Sequence, residues 1–187
     1  MIRADDTTDD LVILVDEDDG VMGLAPKIDV HRDGRLHRAV SVMLFDDLDR
    51  VLLQRRASAK YHSPGLWSNT CCGHPRPGEL ARVAAHRRLR GEMGIENCEL
   101  VRCVRFVYRE QVTIDLIEHE LDHLFVGTWN GSPAPNPDEV SDWLWMDVSS
   151  LCRDVGENAA RYTAWLSHVI AHCPGIASLP SSLPSSG

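Results

Sequence analysis

Short apolar runs separated by polar turns make up the first third of the chain. The runs Leu11–Val15 and Ala39–Phe45 are typical of β-strands, and Trp67–Cys72 is a short extended piece. The acidic segment Asp46–Asp49 is typical of a turn, and the apolar run Val51–Arg55 follows it at once. We therefore predict that residues 39–55 form a β-hairpin.

The later part of the chain mixes strand and helix patterns. Cys98–Val107, Val112–Val126 and Val140–Met146 have strand patterns, whereas Glu79–Met93 and Tyr162–Ala171 have the spacing of amphipathic helices. The apolar positions of the first helix are Leu80, Val83, Ala84, Leu89 and Met93. Helices are interspersed among strands without regular alternation, so we predict an α+β fold with a mixed β-sheet flanked by helices.

The length and composition predict a single globular domain. The chain has 187 residues, of which 43% are hydrophobic and 25% charged. We predict one domain over residues 11–175, with a flexible acidic N-terminus at 1–10 and a flexible Ser/Pro tail at 176–187. No apolar run approaches the roughly 20 residues of a membrane span, and acids instead of basic residues precede Leu11. These features predict a cytoplasmic protein with no membrane partner.

Charge is spread unevenly along the chain. The net charge is −9, and residues 1–19 hold eight acids against one base. The segment Arg50–Glu110, in contrast, holds twelve Lys or Arg and five acids. The overall charge argues against nucleic acid as a partner, while the basic middle segment is compatible with a small anionic ligand. The alternative for any one of these arginines is a solvated helix face.

Candidate metal ligands occur on both sides of a cysteine-rich segment. Residues two apart on a strand share a face, so Glu118 and Glu120 point to one site while His119 points away. Three more histidines are candidates to complete a site of nitrogen and oxygen ligands: His31, His37 and His74. Such ligands suit Mn, Fe, Zn or Mg. Because the chain has nine histidines, chance proximity remains an alternative at this stage.

A spaced pattern of glycine, glutamate and arginine residues begins at Gly73. The segment reads Gly73-x5-Glu79-x7-Arg87-Arg88-Leu89-Arg90-Gly91-Glu92-Met93-Gly94-Ile95. It resembles the Nudix motif, but Arg88 and Gly91 stand where that motif has acids. Nudix hydrolases use those carboxylates to hold Mg²⁺ and activate water. The resemblance therefore implies a Nudix scaffold adapted to another reaction, with Glu92 left to hold one Mg²⁺ on a diphosphate.

Further motifs carry a more specific resemblance over most of the chain, from Leu11 to His172. They are Arg55-Arg56-Ala57 with Lys60, Pro64-Gly65-Leu66-Trp67-Ser68-Asn69, Cys72-Gly73-His74-Pro75, Glu118-x-Glu120, and Trp165. Together they resemble the type I isopentenyl-diphosphate Δ-isomerase family, which has a Nudix fold. The resemblance implies interconversion of isopentenyl and dimethylallyl diphosphate through a tertiary carbocation, and a small-molecule homoallylic or allylic diphosphate as ligand.

The family resemblance also implies the roles of individual residues. It places a divalent metal, Mn²⁺, Zn²⁺ or Mg²⁺, in a site of three histidines and two glutamates: His31, His37, His74, Glu118 and Glu120. A second ion, Mg²⁺, joins the diphosphate to Glu92 and to the backbone carbonyl of Cys72. Basic residues match positions that contact the diphosphate: Lys27, Arg56, Lys60 and Arg88.

Four residues are implied to carry the chemistry. Cys72 and Glu120 are the opposing proton-transfer pair, Tyr108 assists beside the carboxylate, and Trp165 offers its π face to the cation. Taken singly, the cysteine, tyrosine and tryptophan are more typical of core packing, and it is the shared pattern that favours a functional role. The residues before Trp165 read Arg-Tyr-Thr-Ala, where the family more often has Phe-Ser-Pro. Cys71 receives no role.

Two histidines near the motifs match no ligand position. We predict that His62 and His119 lie at the surface or beside the ligands. The alternatives to the isomerase are a Nudix diphosphate hydrolase and a non-catalytic metal-binding module. A Nudix hydrolase would need acids at the positions where this chain has Arg88 and Gly91. A metal-binding module would not need a cysteine and a tyrosine beside the metal carboxylates.

Overall fold

The computed structural model describes residues 10–173. The strands are β1 (Leu11–Val15), β2 (Val21–Pro26), β3 (His37–Phe45), β4 (Arg50–Arg56), β5 (Trp67–Ser68), β6 (Cys71–Gly73), β7 (Val101–Thr113), β8 (Leu116–Thr128) and β9 (Val140–Asp147). The helices are α1 (Lys27–Asp33), α2 (Ala81–Met93), α3 (Val148–Glu157) and α4 (Ala164–His172), with a 3₁₀ turn at Ala159–Arg161. Apart from Asp10, the predicted tails at 1–10 and 176–187 lie outside the described residues.

Within the described part of the chain the strands form one mixed sheet around β3. Strand β3 pairs in parallel with β8 from His37–Glu120 to Phe45–Thr128. It also pairs antiparallel with β6 and β1, while β7 extends the sheet beyond β8 and β9 pairs with β4. The predicted α+β class with a mixed sheet is confirmed.

The predicted hairpin of residues 39–55 is correct at its turn and wrong along its arms. Asp46 builds the turn, because its Oδ1 accepts hydrogen bonds from the amides of Leu48 and Arg50. Strands β3 and β4 then pair only between Phe45 and Val51. Thr70 lies between the two strands, where its hydroxyl accepts from the Leu44 amide at 2.9 Å and donates to the Leu52 carbonyl at 2.7 Å. Each arm therefore has its long ladder with another strand.

Two hydrophobic cores lie on opposite faces of the sheet. Val40, Val42 and Leu44 of β3 pack in the core that includes the buried face of α2. Met43 and Phe45 pack in the second core, with residues of α4. The alternation of one strand thus joins both layers of helices, as predicted for a sheet flanked by helices.

Helix α2 ends where the sequence predicts and begins two residues later. Gly94 ends it with φ +65°, and a Cβ there would lie 2.3 Å from the Ala134 carbonyl oxygen, so the position requires glycine. Glu79 stands just before the first turn and accepts hydrogen bonds from the Arg76 amide and from the Arg87 guanidinium. It therefore stabilises the start of the helix without belonging to it.

Three elements were not predicted from the sequence: β2, α1 and α3. Helix α3 has an N-cap at Asp147 and apolar residues at Val148, Leu151 and Val155, so its signal was present and overlooked. Strand β2 is an edge strand with Val21 and Met22 exposed, so it shows no apolar face, and α1 has only seven residues. Helix α4 begins at Ala164 and not at Tyr162, because Thr163 donates its amide to the Trp67 carbonyl. No helix within residues 10–173 has the length and apolarity needed to cross a membrane.

Candidate active site

A cavity of about 670 Å³ opens between α1, the loop after β4, and the edge formed by β6, β7 and β8. Its wall contains most of the predicted site residues: Lys27, Arg56, Lys60, Cys72, His74, Arg88, Tyr108, Glu118, Glu120 and Trp165. His31, His37 and Glu92 are buried just outside the wall. The structure therefore brings together residues spread over most of the chain.

The predicted metal ligands form one cluster at the bottom of this cavity. Each of five residues offers a ligand atom within 4.8 Å of all the others: His31, His37, His74, Glu118 and Glu120. Four of the five are buried. Burying two carboxylates together is unfavourable unless a cation or proton offsets their repulsion. This group can hold a metal ion.

Hydrogen bonds fix the orientation of two imidazoles toward the centre. His31 donates Nδ1–H to the Lys27 carbonyl at 2.6 Å, and His37 donates Nδ1–H to the Arg35 carbonyl at 2.9 Å. Their Nε2 atoms are left as the ligand atoms, and that of His37 lies 3.2 Å from Nε2 of His74. Burial holds the pKa of His74 well below its usual value, so this imidazole is neutral, as a metal ligand must be. The donor set fits a divalent metal.

Strand β8 places the two carboxylates by its alternation. Glu118 and Glu120 point to the cluster, while His119 between them turns away and donates to the Gly34 carbonyl. Its half-buried position beside α1 agrees with the predicted absence of a ligand role. Glu120 lies opposite His37 in the parallel ladder, and this register brings the two candidate ligands together.

Three groups suited to proton transfer face the cavity. Burial raises the pKa of Cys72 to about 12, so the thiol is protonated. Burial acts to raise the pKa of Glu120 too, but the hydrogen bond and charge of the His37 imidazole, 3.5 Å away, together with hydrogen bonds to Glu118 and Tyr108, outweigh it and lower the pKa to about 2. The Tyr108 hydroxyl donates to Glu120 Oε2 at 2.5 Å, and burial raises the pKa of this phenol well above its usual value. The site thus holds proton donors beside an ionised carboxylate.

The adjacent cysteines have different surroundings. Cys71 is fully buried in the core beneath α2, whereas Cys72 lines the cavity on the opposite face of β6. All six cysteines fall within the described residues and are free thiols. The geometry agrees with a role for Cys72 and none for Cys71.

Trp165 forms part of the cavity wall and is held by polar contacts. Its Nε1 donates to Asn69 Oδ1 at 3.2 Å, and the guanidinium carbon of Arg56 lies 5.2 Å from the ring centroid. The ring already attracts one cation in this structure. Asn69, from the Trp-Ser-Asn motif, is the residue that fixes the orientation of the indole.

The four basic residues predicted to bind the diphosphate line the cavity, and a glutamate forms ion pairs with two of them. Glu139, just before β9, lies within ion-pair contact of Lys60 and accepts from Arg88 at 3.2 Å. Glu139 was not predicted from the sequence, because it stands in a loop outside every motif that carries the other site residues. Lys27 lies 5.1 Å from the centroid of the Tyr61 ring, and burial lowers the pKa of this lysine.

Arg88 joins the two groups that the resemblance assigns to a diphosphate-bound Mg²⁺. Its Nε donates to the Cys72 carbonyl at 3.1 Å and to Glu92 Oε1 at 2.9 Å. The other carboxylate oxygen of Glu92 accepts from the Gln54 amide at 2.6 Å. The Cys72 carbonyl oxygen and Glu92 Oε1 therefore lie close enough to share one cation. In this structure that cation is the Arg88 guanidinium.

Two further residues of the site went unassigned in the sequence. His62 is buried, with Nε2 3.2 Å from Glu118 Oε1 and its ring edge-on to Trp165, so a surface location is wrong and a place beside a ligand is right. Asp122 is also buried, and its Oδ2 accepts from the Ser41 hydroxyl at 2.7 Å. Burial raises the pKa of Asp122 to about 8. The strand alternation Glu118-x-Glu120-x-Asp122 is the signal that would have found it.

Comparison with known proteins agrees with this geometry. Residues 35–166 match the NUDIX domain. The chain is 55% identical to isopentenyl-diphosphate Delta-isomerase 1 of Aromatoleum aromaticum, over 84% of this chain and 89% of the relative. The chain belongs to the isopentenyl-diphosphate Delta-isomerase family. A second isomerase of this family, from Serratia proteamaculans, is 48% identical over 84% of this chain and 87% of its own length.

Solved structures support the fold. The protein DR0079 of Deinococcus radiodurans superposes with a TM-score of 0.74 at 20% identity, covering 88% of this chain and 99% of that one. At this identity the match concerns the Nudix fold alone. The similar proteins thus confirm the Delta-isomerase family resemblance found in the sequence, and the solved structure supports the fold.

Proposed function

We propose that this chain interconverts isopentenyl diphosphate and dimethylallyl diphosphate at the cavity described above. The observation that carries the proposal is that the Cys72 thiol and the Glu120 carboxylate, which accepts a hydrogen bond from the Tyr108 hydroxyl, line one cavity. The same cavity contains the His/Glu cluster and a group of basic residues. A shift of the double bond adds a proton to one of the two alkene carbons. It removes a proton from the saturated carbon attached to the other alkene carbon. The reaction therefore needs a donor and an acceptor, and no net oxidant.

Cys72 and Glu120 supply that pair. The Cys72 thiol is protonated and the Glu120 carboxylate is ionised, so one group is ready to deliver a proton and the other to take one. The Tyr108 hydroxyl, 2.5 Å from Glu120, holds a further proton beside the carboxylate. The reverse reaction uses the same groups with the proton on the other partner.

Trp165 is proposed to stabilise the intermediate. Protonation of the alkene leaves a tertiary carbocation, which water would capture if it had access. The indole face attracts a cation, by about 0.5–2 kcal/mol, without acting as a nucleophile. Since Trp165 is almost fully buried and held by Asn69, its ring is oriented before the charge develops.

Four cations are proposed to bind the diphosphate: Lys27, Arg56, Lys60 and Arg88. In this structure Glu139 partly neutralises Lys60 and Arg88. Glu92 and the Cys72 carbonyl, which both accept from the Arg88 guanidinium here, would hold the Mg²⁺ that neutralises part of the diphosphate charge, and Arg88 would bind a phosphate oxygen.

The resident metal would be held by the three histidines and two glutamates of the cluster. A divalent ion held there would offset the repulsion of Glu118 and Glu120 and would add positive charge beside Glu120. We propose Mn²⁺, Zn²⁺ or Mg²⁺ for this site, and Mg²⁺ for the diphosphate. A cytoplasmic location stays a prediction from the sequence.

A single incubation tests the isomerase against the hydrolase. The purified protein with Mg²⁺ and isopentenyl diphosphate in D₂O is expected to give deuterated dimethylallyl diphosphate and no inorganic phosphate. Release of phosphate with no allylic product would support the hydrolase instead. Binding of metal with neither product would support the metal-binding module.

A further inference from the structure

Helix α4 lies along strand β7, and two of its histidines stack on two aromatic rings of the strand. The His168 ring stacks on Tyr108 with centroids 5.1 Å apart and planes at 20°. One turn later the His172 ring stacks on Phe106 at 4.2 Å and 5°. The two contacts are alike in chemistry, but only the first involves a residue of the candidate active site.

His168 is held in place on its other side as well. Its Nε2 hydrogen-bonds Glu110 Oε1 at 2.8 Å, and Glu110 lies two residues beyond Tyr108 on the same strand. Among residues 10–173, the His172 ring in contrast hydrogen-bonds only back to its own helix, at the His168 carbonyl. The imidazole of His168 therefore joins α4 to β7 at the position of Tyr108.

Tyr108 has a narrow task in the proposed reaction. Its hydroxyl must stay on Glu120 Oε2, and the phenol ring is buried between the sheet and α4. Trp165 stands one turn before His168 on α4, and its ring faces the same cavity. A contact that sets Tyr108 against α4 thus also sets the phenol relative to the indole.

We propose that His168 is a positioning residue that holds the Tyr108 ring by stacking, so that the hydroxyl stays on Glu120. The proposal rests on the proposed isomerase function. His168 touches no reacting atom, and it acts through Tyr108. Loss of the ring should lower kcat and leave KM nearly unchanged, because the diphosphate-binding residues lie elsewhere in the cavity.

The test compares matched variants of the full chain loaded with metal. His168→Leu and His172→Leu each remove one stacked imidazole from the same helix face. The free energy of a stacked ring pair corresponds to a change of about 2- to 10-fold in an equilibrium or rate constant. We expect kcat to fall by that factor in His168→Leu and to stay at the wild-type value in His172→Leu, with similar melting temperatures.

Two further variants separate the ring from its hydrogen bond. His168→Phe keeps a ring to stack and loses the bond to Glu110, whereas His168→Gln keeps a donor for Glu110 and loses the ring. We expect Phe to retain most of the rate and Gln to be as slow as Leu. These variants also serve if His168→Leu does not fold, because the side chain is 30% exposed and tolerates polar groups.

A spectroscopic readout reports on Tyr108 directly. The chain has three tyrosines, so 3-fluorotyrosine labelling gives a simple ¹⁹F spectrum in which Tyr108→Phe assigns the signal. The Tyr108 signal should shift in His168→Leu and His168→Gln but not in His172→Leu. In a Tyr108→Phe background His168→Leu should cost no further rate.

Defined outcomes overturn the inference. Equal kcat in His168→Leu and His172→Leu, or a His168→Phe variant as slow as His168→Gln, would rule out positioning by the stacked ring. Failure of the wild-type protein to isomerise would instead remove the proposed function on which the inference rests.

Discussion

Neighbouring residues of the site differ in role because of strand alternation. Cys71 and Cys72 are adjacent, yet one lies in the core under α2 and the other in the cavity. His119 stands between two metal-ligand candidates and bonds to the Gly34 carbonyl on the other face. A shift of one residue in β6 or β8 would exchange these roles.

The cysteine pair gives the first prediction. Cys72→Ala should lower kcat by about 10²–10⁴-fold, because it removes one of two groups for proton transfer, and should leave the fold intact. Cys71→Ala should keep nearly full activity and lose only some stability from its buried site. Steady-state kinetics and thermal melts of both variants check this, and the opposite pattern would show that the wrong thiol was assigned.

The metal ligands give the second prediction. Glu118→Gln or His74→Ala should weaken binding of Mn²⁺ or Zn²⁺ by at least about tenfold, because each removes a donor and leaves the remaining groups less well oriented. His119→Ala is the matched control on the same strand and should bind metal normally. Chelator competition measures the affinities. Full occupancy and normal turnover in Glu118→Gln would exclude that residue as a ligand.

At the scale of elements, α2 connects the degenerate Nudix box to the cavity. Its first turn is fixed by Glu79 and Arg87, and Arg87 also donates to the His74 carbonyl at 3.0 Å. Glu92, near the other end of the helix, bonds to Arg88 and Gln54. The helix thus positions His74, a candidate metal ligand, near one end, and carries Glu92, the acid proposed to hold Mg²⁺, near the other.

The start of α2 gives a prediction with a pH dependence. Burial acts to raise the pKa of Glu79, but the hydrogen bonds from Arg87 and the Arg76 amide outweigh it and lower the pKa below its usual 4.5. A lowered pKa in the folded state means that this stabilisation is present above about pH 4.5 and is lost as the pH falls through the folded value.

Glu79→Gln should therefore destabilise the protein at pH 7 by about 1–2 kcal/mol, or roughly 2–8 °C in Tm. The difference from wild type should shrink as the pH falls below 4. Urea unfolding at pH 7 and at pH 3.5 measures it. A difference that stays the same at both values would mean that the charge of Glu79 does not stabilise the helix.

At the scale of the whole molecule, the cavity brings together residues with two different proposed roles. The basic residues proposed to bind the diphosphate come from α1, the end of β4, the loop after it and α2, while Cys72, Tyr108 and Trp165, proposed to carry the chemistry, come from β6, β7 and α4. The Nudix sheet holds these elements around one opening. Residues of the two groups should therefore differ in their kinetic effects.

Lys60 and Trp165 test this separation. Lys60→Ala should raise KM for isopentenyl diphosphate by about 10- to 100-fold, because it removes a hydrogen bond to a charged group. Its effect on kcat should be smaller. Trp165→Leu should leave KM near normal and lower kcat, and Trp165→Phe should retain more rate because it keeps a π face. Equal kcat in the Leu and Phe variants would limit the tryptophan to filling space.

The sequence by itself determined the features that repeat within one element or one motif. The alternation of β8 determined which of Glu118, His119 and Glu120 share a face, and helical spacing with Gly94 determined where α2 ends. The motif pattern pointed to the family that the comparisons confirmed. These are local properties, because the period of a strand or helix depends only on its own backbone.

The tertiary structure alone decided which distant residues meet. Thr70 separates the arms of the predicted hairpin, His62 reaches Glu118, and Glu139 comes to Lys60 from 79 residues away. His168 meets Tyr108 only because α4 packs along β7. Such contacts depend on the packing of whole elements, and no periodicity in the sequence reports which strand lies beside which.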